Sequence, residues 1–598
     1  MAKSSKKEKI YHGIGASPGI AIGKVLLIKE HSTSYVKPPD ATITPEQVEA
    51  EIVKFEGALE KTRLELEDLQ KRLQNKIQAH DVSIFDAHLL IVDDQMLLHE
   101  VQDSIRNQLT TADCAFFKIM ERYVTAISVM ADAYIRERVA DIKDVASRVL
   151  ANLRETNRPA LDYLEDSRII IAYDLTPSDT VLLDRQKVQA FAIESGSNTS
   201  HTAILARSMQ IPAVVNIAGD VVNELENNVD IIIDGFIGTV IANPTEKTRK
   251  AYQLKAKEEG RFYIDLIRES RLRPETLDGF TVQLASNIET LADIQTAKKF
   301  GTSGVGLFRT EYMYMGNKEL PTEEAQIETF TSLINEMKGE PVIVRTLDIG
   351  GDKYCENLSL RKEANPFLGL RGIRLCLHEC QDVFRTQLRA LLRAGAAGNL
   401  KIMLPMISCV EEVIQVKEII EQLKEELSKE KLPFNRDIEV GIMIETPAAA
   451  LQAEHFAKLV DFFSIGTNDL IQYTIAIDRD NEKVAYLYEP TNPAILYLIK
   501  KVVDAAKKNR IWVSVCGQMA GSPQYIPLLL GLGVHELSMV PMSLGAVRRI
   551  IRKLKMHEAE VAAEKALHCA NAQDALNVSL ELLKKIAPEV TDLAFRGL

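Results

Sequence analysis

The chain has 598 residues, 46% of them apolar and 26% charged, with a net charge of −12. At roughly 100–200 residues per domain that length predicts three or four domains, each with a core of its own. The acidic balance speaks against a nucleic-acid binder and leaves room for a basic protein partner, and no stretch approaches the roughly 20 apolar residues of a membrane span. The basic start, residues 1–9, is followed by polar and glycine-containing sequence rather than an apolar leader. Together with seven scattered cysteines, this predicts a cytoplasmic protein with free thiols.

Residues 10–28 read as a short strand-like opening around the turn Ala16-Ser17-Pro18-Gly19. From 44 to about 153 strand signals are absent, and Val48, Ile52, Phe55, Leu59, Leu66, Leu69, Leu73 and Ile77 recur at helical spacing. That stripe suits a homodimeric coiled coil or a helical bundle, and the helical pattern over 85–153 favours the bundle. From Arg168 the period changes to short apolar runs at 169–172, 190–193, 213–215 and 230–233. Residues 245–272 are charged, helix-favouring and ended by Pro274, a linker helix.

Beyond Pro274, eight apolar runs alternate with helical stretches: 282–285, 305–308, 342–344, 402–404, 440–444, 462–465, 513–515 and 536–539. Eight strand–helix units over ~300 residues are what a (β/α)8 barrel requires. The predicted domains are therefore an α/β domain from 1–30 and 156–245, an inserted helical domain at 31–155, a linker helix at 246–275 and a barrel at 276–598. Cys376 and Cys380, with His378 between them, read as ordinary helix residues, since no second ligand cluster accompanies them.

In such a barrel the reacting groups sit at the C-terminal strand ends. Those ends carry Asn287 and Glu289, Arg309 and Glu311, Arg345 and Asp348, Glu445, Asn468 and Asp469, and Cys516. Any one of these arginines alone would be a surface ion-pair partner; a ring of them suits an anionic, phosphorylated substrate. Carboxylates among so many arginines suit Mg2+ held between substrate oxygens. A second cluster, residues 196–207, runs from a strand end through small polar residues into a helix. It places His201 where backbone N–H groups and a helix dipole favour a phosphoryl group.

Residues 196–207 resemble the phosphohistidine signature of the phosphoenolpyruvate-utilising enzymes, and Asp461 to Arg479 resembles the family's second signature. The similarity is greatest to the Enzyme I branch of the bacterial sugar phosphotransferase system. It extends over nearly the whole chain, including residues 16–21, 174–178 and Cys516-Gly517. It implies a swivelling phosphohistidine α/β domain with an inserted helical bundle, followed by a C-terminal (β/α)8 TIM barrel that also forms the homodimer. His201 would carry the phosphoryl group, with Thr176 near its ring. Arg309, Arg345 and Arg479 would hold the phosphate of phosphoenolpyruvate, with Asn468 near its carboxylate end and phosphate. Glu445 and Asp469 would ligate Mg2+, and Cys516 would protonate the enolate to pyruvate. The helical insert would dock the phosphocarrier HPr through Phe85, Asp86, His88, Leu89, Asp93 and Asp94.

Three positions depart from the family pattern. Ser197-Asn198 replaces a glycine or alanine often followed by arginine, Gln518 stands where an acid normally follows Cys-Gly, and Ser522 replaces an aspartate. Without the like charge at 518, Cys516 is expected to lose its proton at lower pH than in relatives carrying the acid. A dikinase or synthase using ATP remains an alternative. Residues 1–275 offer it neither the length of a nucleotide domain nor a Gly-rich phosphate loop, and the nitrogen-related paralogue normally adds an N-terminal sensory domain. A regulatory binding protein that has lost turnover also stays open, with Gln518 and Ser522 as its only support.

Overall fold

The structure is a computed structural model that describes residues 7–28, 37–39, 41–74, 88–128, 133–154, 166–175, 187–195, 206, 211–314, 319–351, 358, 363–479, 481 and 483–594. The chain forms two compact units, Met1–Gly260 and Arg261–Arg596.

In the first unit an eight-stranded sheet takes strands from both sides of the helical insert. Its spatial order is Lys9–His12, Thr239–Ala242, Asp230–Asp234, Ile20–Ile28, Arg168–Ala172, Val188–Ile193, Ala213–Val215 and Ile14–Ser17. Its central strands are apolar on both faces, and each face has its own buried cluster. The four apolar runs read from the sequence all lie in this sheet. The insert comprises the helices Val48–Gln74, Gln95–Gln108, Ala112–Ser128 and Ala133–Leu153. The predicted stripe, at Ile52, Phe55, Leu59, Leu66 and Leu69, packs on Val101, Ile105, Phe116 and Val149 of the other helices. The stripe is therefore satisfied within one chain, as a bundle. The helix Glu246–Glu269 leaves this unit, with Lys255 paired to buried Asp234 at 2.6 Å.

The second unit is a closed barrel of eight parallel strands: β1 (Gln283–Ile288), β2 (Val305–Arg309), β3 (Val342–Arg345), β4 (Leu400–Leu404), β5 (Val440–Ile444), β6 (Phe462–Ile465), β7 (Trp512–Val515) and β8 (Glu536–Met539). Every predicted run supplies one strand. Alternation sends one set of side chains outward under the helices, among them Val513, Val515, Phe463, Ile465 and Leu537. The other set fills the interior, where Leu307, Ile343, Met403, Met443, Phe462 and Cys516 meet Trp512. Trp512 stacks on Phe462 with ring centroids 4.6 Å apart. Cys376 lies buried in the helix Ile373–His378, its thiol donating to the Leu347 carbonyl at 3.7 Å. Among the described residues no group of three or more His, Cys, Asp or Glu is gathered for a metal there or elsewhere.

Candidate active site

β1, β2, β3 and β5 end at or one residue before a charged side chain, so the strand direction alone brings Glu289, Arg309, Arg345 and Glu445 to one rim. Arg309 ends β2 and donates to Glu289 beyond β1 at 2.6 Å, both side chains partly open to solvent. Its Nε is buried without a partner among the described residues. Arg345 ends β3 fully buried, donating to Glu311 at 2.7 Å and lying 3.1 Å from Asp348. Burial would by itself weaken its proton, yet Glu311, Asp348 and Glu445 hold the guanidinium firmly charged. Its Nε too lacks a partner among the described residues, so both phosphate-gripping candidates keep a donor in reserve.

Glu445, just beyond β5, is buried and accepts the Met406 N–H on Oε1 at 2.6 Å. Burial, then Asp469 and Asp348, push its carboxyl up to about 8, against the pull of Arg345 and Arg371. The like charge that Asp469 and Asp348 put on buried Glu445 is what a divalent cation would relieve. Two protein carboxylates completed by water and substrate oxygens is the usual manner of Mg2+. Asp469 lies in the first turn of the helix Thr467–Ile475, with Arg479 3.9 Å away.

Sequence reasoning missed Arg371, the largest buried cation of the rim. Its Nε and Nη2 grip both oxygens of Asp348 at 3.1 and 3.2 Å, and its Nη1 and Nη2 grip both oxygens of Asp469 at 3.2 and 3.1 Å. Tyr473 receives a further bond at 3.2 Å. Arg371 follows no strand; Gly372 behind it has φ +56, a left-handed turn that aims the preceding residue inward. The local signal was Gly369-Leu370-Arg371-Gly372, a basic residue between turn-forming glycines.

The turn after β6 and the turn after β7 are joined. The Cys516 N–H donates to the Ile465 carbonyl at 3.1 Å, and the Gln518 N–H donates to Asn468 Oδ1 at 3.0 Å. A Cβ on Gly517 would stand 1.9 Å from the Thr467 hydroxyl, so only glycine fits there. With its carbonyl occupied, Asn468 has only its amide donors left for a ligand. Asn287 clamps the same turn, donating to the Cys516 carbonyl at 2.8 Å.

Cys516 is buried with its thiol toward the barrel interior, and burial pushes it up to about 11. Desolvation outweighs the pull of Arg345 and Arg309 on the thiol. Gln518 is exposed and uses its backbone, not its amide, at the site; its carbonyl accepts from Ser522 at 2.9 Å. Gln518 and Ser522 thus close a turn behind the thiol.

His201 and Thr176 lie outside the described residues, as do Phe85 and Asp86. Of the remaining docking candidates, His88 is fully buried and Leu89 is half-buried against the bundle core. Asp93 lies 3.7 Å from Arg63, and Asp94 caps the helix Gln95–Gln108 by accepting from Met96 and Leu97.

Residues 267–556 match the family described as PEP-utilising enzyme, PEP-binding domain; residues 12–138 match its N-terminal part and 164–238 its mobile domain. A Phosphoenolpyruvate-protein phosphotransferase of Priestia megaterium is 45% identical over 568 residues, 95% of this chain and 98% of that protein. The namesake from Geobacillus stearothermophilus is 46% identical over 578 residues, 96% of this chain and 98% of that protein. One from Staphylococcus aureus is 44% identical over 573 residues, covering 95% and 99%.

Proposed function

The chain belongs to the phosphoenolpyruvate-utilising enzyme family and is a phosphotransferase acting on phosphoenolpyruvate, and from that membership we propose how its own residues do the work. His201 takes the phosphoryl group as a phosphohistidine and yields it to a histidine of HPr, the first step of sugar uptake. Arg309, Arg345 and Arg479 neutralise the phosphate as it moves. Asn468 donates its amide to the substrate between its carboxylate and phosphate. Glu445 and Asp469 hold Mg2+, which when bound supplies positive charge to the substrate oxygens. Cys516 delivers a proton to the enol carbon, which drives the transfer because phosphoenolpyruvate is a trapped enol.

The observation that carries this reading is the rim itself, where Arg309, Arg345 and Arg371 stand among the carboxylates Glu445, Asp348 and Asp469 beside the buried Cys516 thiol. Phosphoenolpyruvate with Mg2+ is expected to leave one acid-labile, base-stable phosphohistidine, at His201. Mass spectrometry placing the label elsewhere, or label persisting in His201→Ala, would overturn the assignment.

Glu445 and Asp469 belong to the barrel, whereas exchange between phospho-HPr and His201 has no need of it. Glu445→Ala and Asp469→Ala are therefore expected to lose forward phosphorylation by ~10²-fold or more while sparing that exchange. Rapid-quench assays of both half-reactions check this; an unimpaired forward reaction removes that residue from the metal site. We propose further that the helical insert docks HPr, that the barrel forms the homodimer and that the enzyme works in the cytoplasm. In support, no helix among the described residues is long and apolar enough to cross a membrane.

A further inference from the structure

The barrel interior carries a line of polar groups that the reading above does not use. On β6, Phe462 and Ser464 point inward between outward Phe463 and Ile465; on β7, Trp512 and Ser514 point inward between outward Val513 and Val515. Ser464 and Ser514 are register partners and both fully buried. The Ser514 hydroxyl donates to the Ser464 hydroxyl at 2.8 Å. That leaves the Ser464 proton unspent, and Ser464 counteracts the burial-driven rise of the Cys516 thiol, whose own proton goes to the Ile465 carbonyl at 3.7 Å. One strand further, Ser514 is in register with Glu536 on β8, an inward-facing carboxyl only 4% exposed. Its Oε1 has no hydrogen-bond partner among the described residues.

A buried carboxyl without a partner costs stability in a region that apolar side chains normally fill, so its presence needs a use. Cys516 supplies the need. Once its proton is on the substrate carbon it is a buried thiolate, and it must be recharged before the next turnover. We propose that Ser464, Ser514 and Glu536 form an internal proton line that recharges Cys516 from the base of the barrel. This rests on the reading of Cys516 as the acid.

The transfer balances. The thiol S–H bond breaks as the C–H bond forms on the enolate. The thiolate then takes the Ser464 hydroxyl proton, Ser464 takes that of Ser514, and Ser514 takes the carboxyl proton of Glu536, directly or through one water. Glu536 regains its proton from solvent at the strand N-termini. There the adjoining His535 lines, with Trp512 and Phe280, a cavity of ≈ 860 Å³. Burial pushes Glu536 up to about 7, and the charge opposing this is Lys401 of β4, itself bound to Glu439 at 2.7 Å. Glu536 is thus a carboxyl that can both hold and release a proton near neutrality.

A proton line makes a demand that packing alone does not. The first turnover spends the proton already on Cys516; only later turnovers need the line. Rapid-quench measurement of pyruvate with the full chain, Mg2+ and saturating HPr separates the two phases. In Glu536→Gln, which keeps the shape, and in Ser514→Ala, steady-state turnover is expected to fall by about tenfold or more while the first turnover stays within about twofold. Equal loss of both phases, or wild-type steady-state turnover in both variants, overturns the line. Cys516→Ser is the control. If it too keeps a normal first turnover, it is the assignment of the acid that has failed, not the line.

Discussion

Arg371→Ala is expected to stop pyruvate release, with a loss of kcat/KM on the order of 10³ or more, equivalent to about 4 kcal/mol. The guanidinium holds both oxygens of Asp348 and both of Asp469, and all three side chains are buried. Removing it leaves two carboxylates facing each other and Glu445 with one fewer cation. Glu445 loses one of the two cations that oppose its upward shift, so a metal ion has to displace a more tightly held proton to bind there. Breaking a buried ion pair by deleting one partner typically costs about 3–5 kcal/mol of stability. For a unit of this size that lowers Tm by roughly 4–7 °C. Circular dichroism melting and a coupled pyruvate assay read the two effects. Arg371→Lys returns the charge without the fork, so it should recover stability more than activity. An Arg371→Ala enzyme with near-normal turnover would show that Asp348 and Asp469 do not need the clamp.

Arg371 also marks where the sequence stops being readable. The barrel was legible because each strand is an apolar run bounded by turn residues, and because Arg309, Arg345, Glu445 and Cys516 each interrupt the pattern where a strand ends. Arg371 interrupts nothing: it lies in a loop segment whose course is set by Gly372 and by the carboxylates it meets, one 23 and the other 98 residues away. The strand Thr239–Ala242 escaped notice for a related reason. It is only four residues long and pairs with Lys9–His12, so its place is fixed by a partner from the far end of the unit. The interior serines were hidden by the opposite effect. Ser464 lies within a run that reads as apolar strand, and only barrel closure reveals that every second residue of that run faces the same interior as Cys516. That His88 is buried was not legible because a helix of mixed pattern does not announce which face the bundle covers.

Cys516 shows the same gap between distance along the chain and surroundings in space. From the chain, Gln518 is two residues away and its charge looks decisive; in space the thiol points into the barrel while Gln518 is exposed. A general acid must be protonated to work, so a depressed pKa would cut pyruvate formation as pH rises past neutrality. With burial holding the thiol near 11, that limb lies well above the working range. Titrating Cys516 should therefore contribute no decline in pyruvate formation between about pH 7 and 9.5. Gln518→Glu is expected to leave the pH profile superimposable on wild type, because a charge in solvent is screened before it reaches a desolvated thiol. Cys516→Ser, which replaces the acid by a far weaker one, should cut pyruvate formation by ~10³-fold while His201 still exchanges phosphate with HPr. Iodoacetamide labelling of Cys516, followed by mass spectrometry across pH, tests the ionisation directly. A labelling inflection near 8, or an alkaline limb moved upward by about one unit in Gln518→Glu, a difference worth about 1.4 kcal/mol, would return control of the acid to position 518.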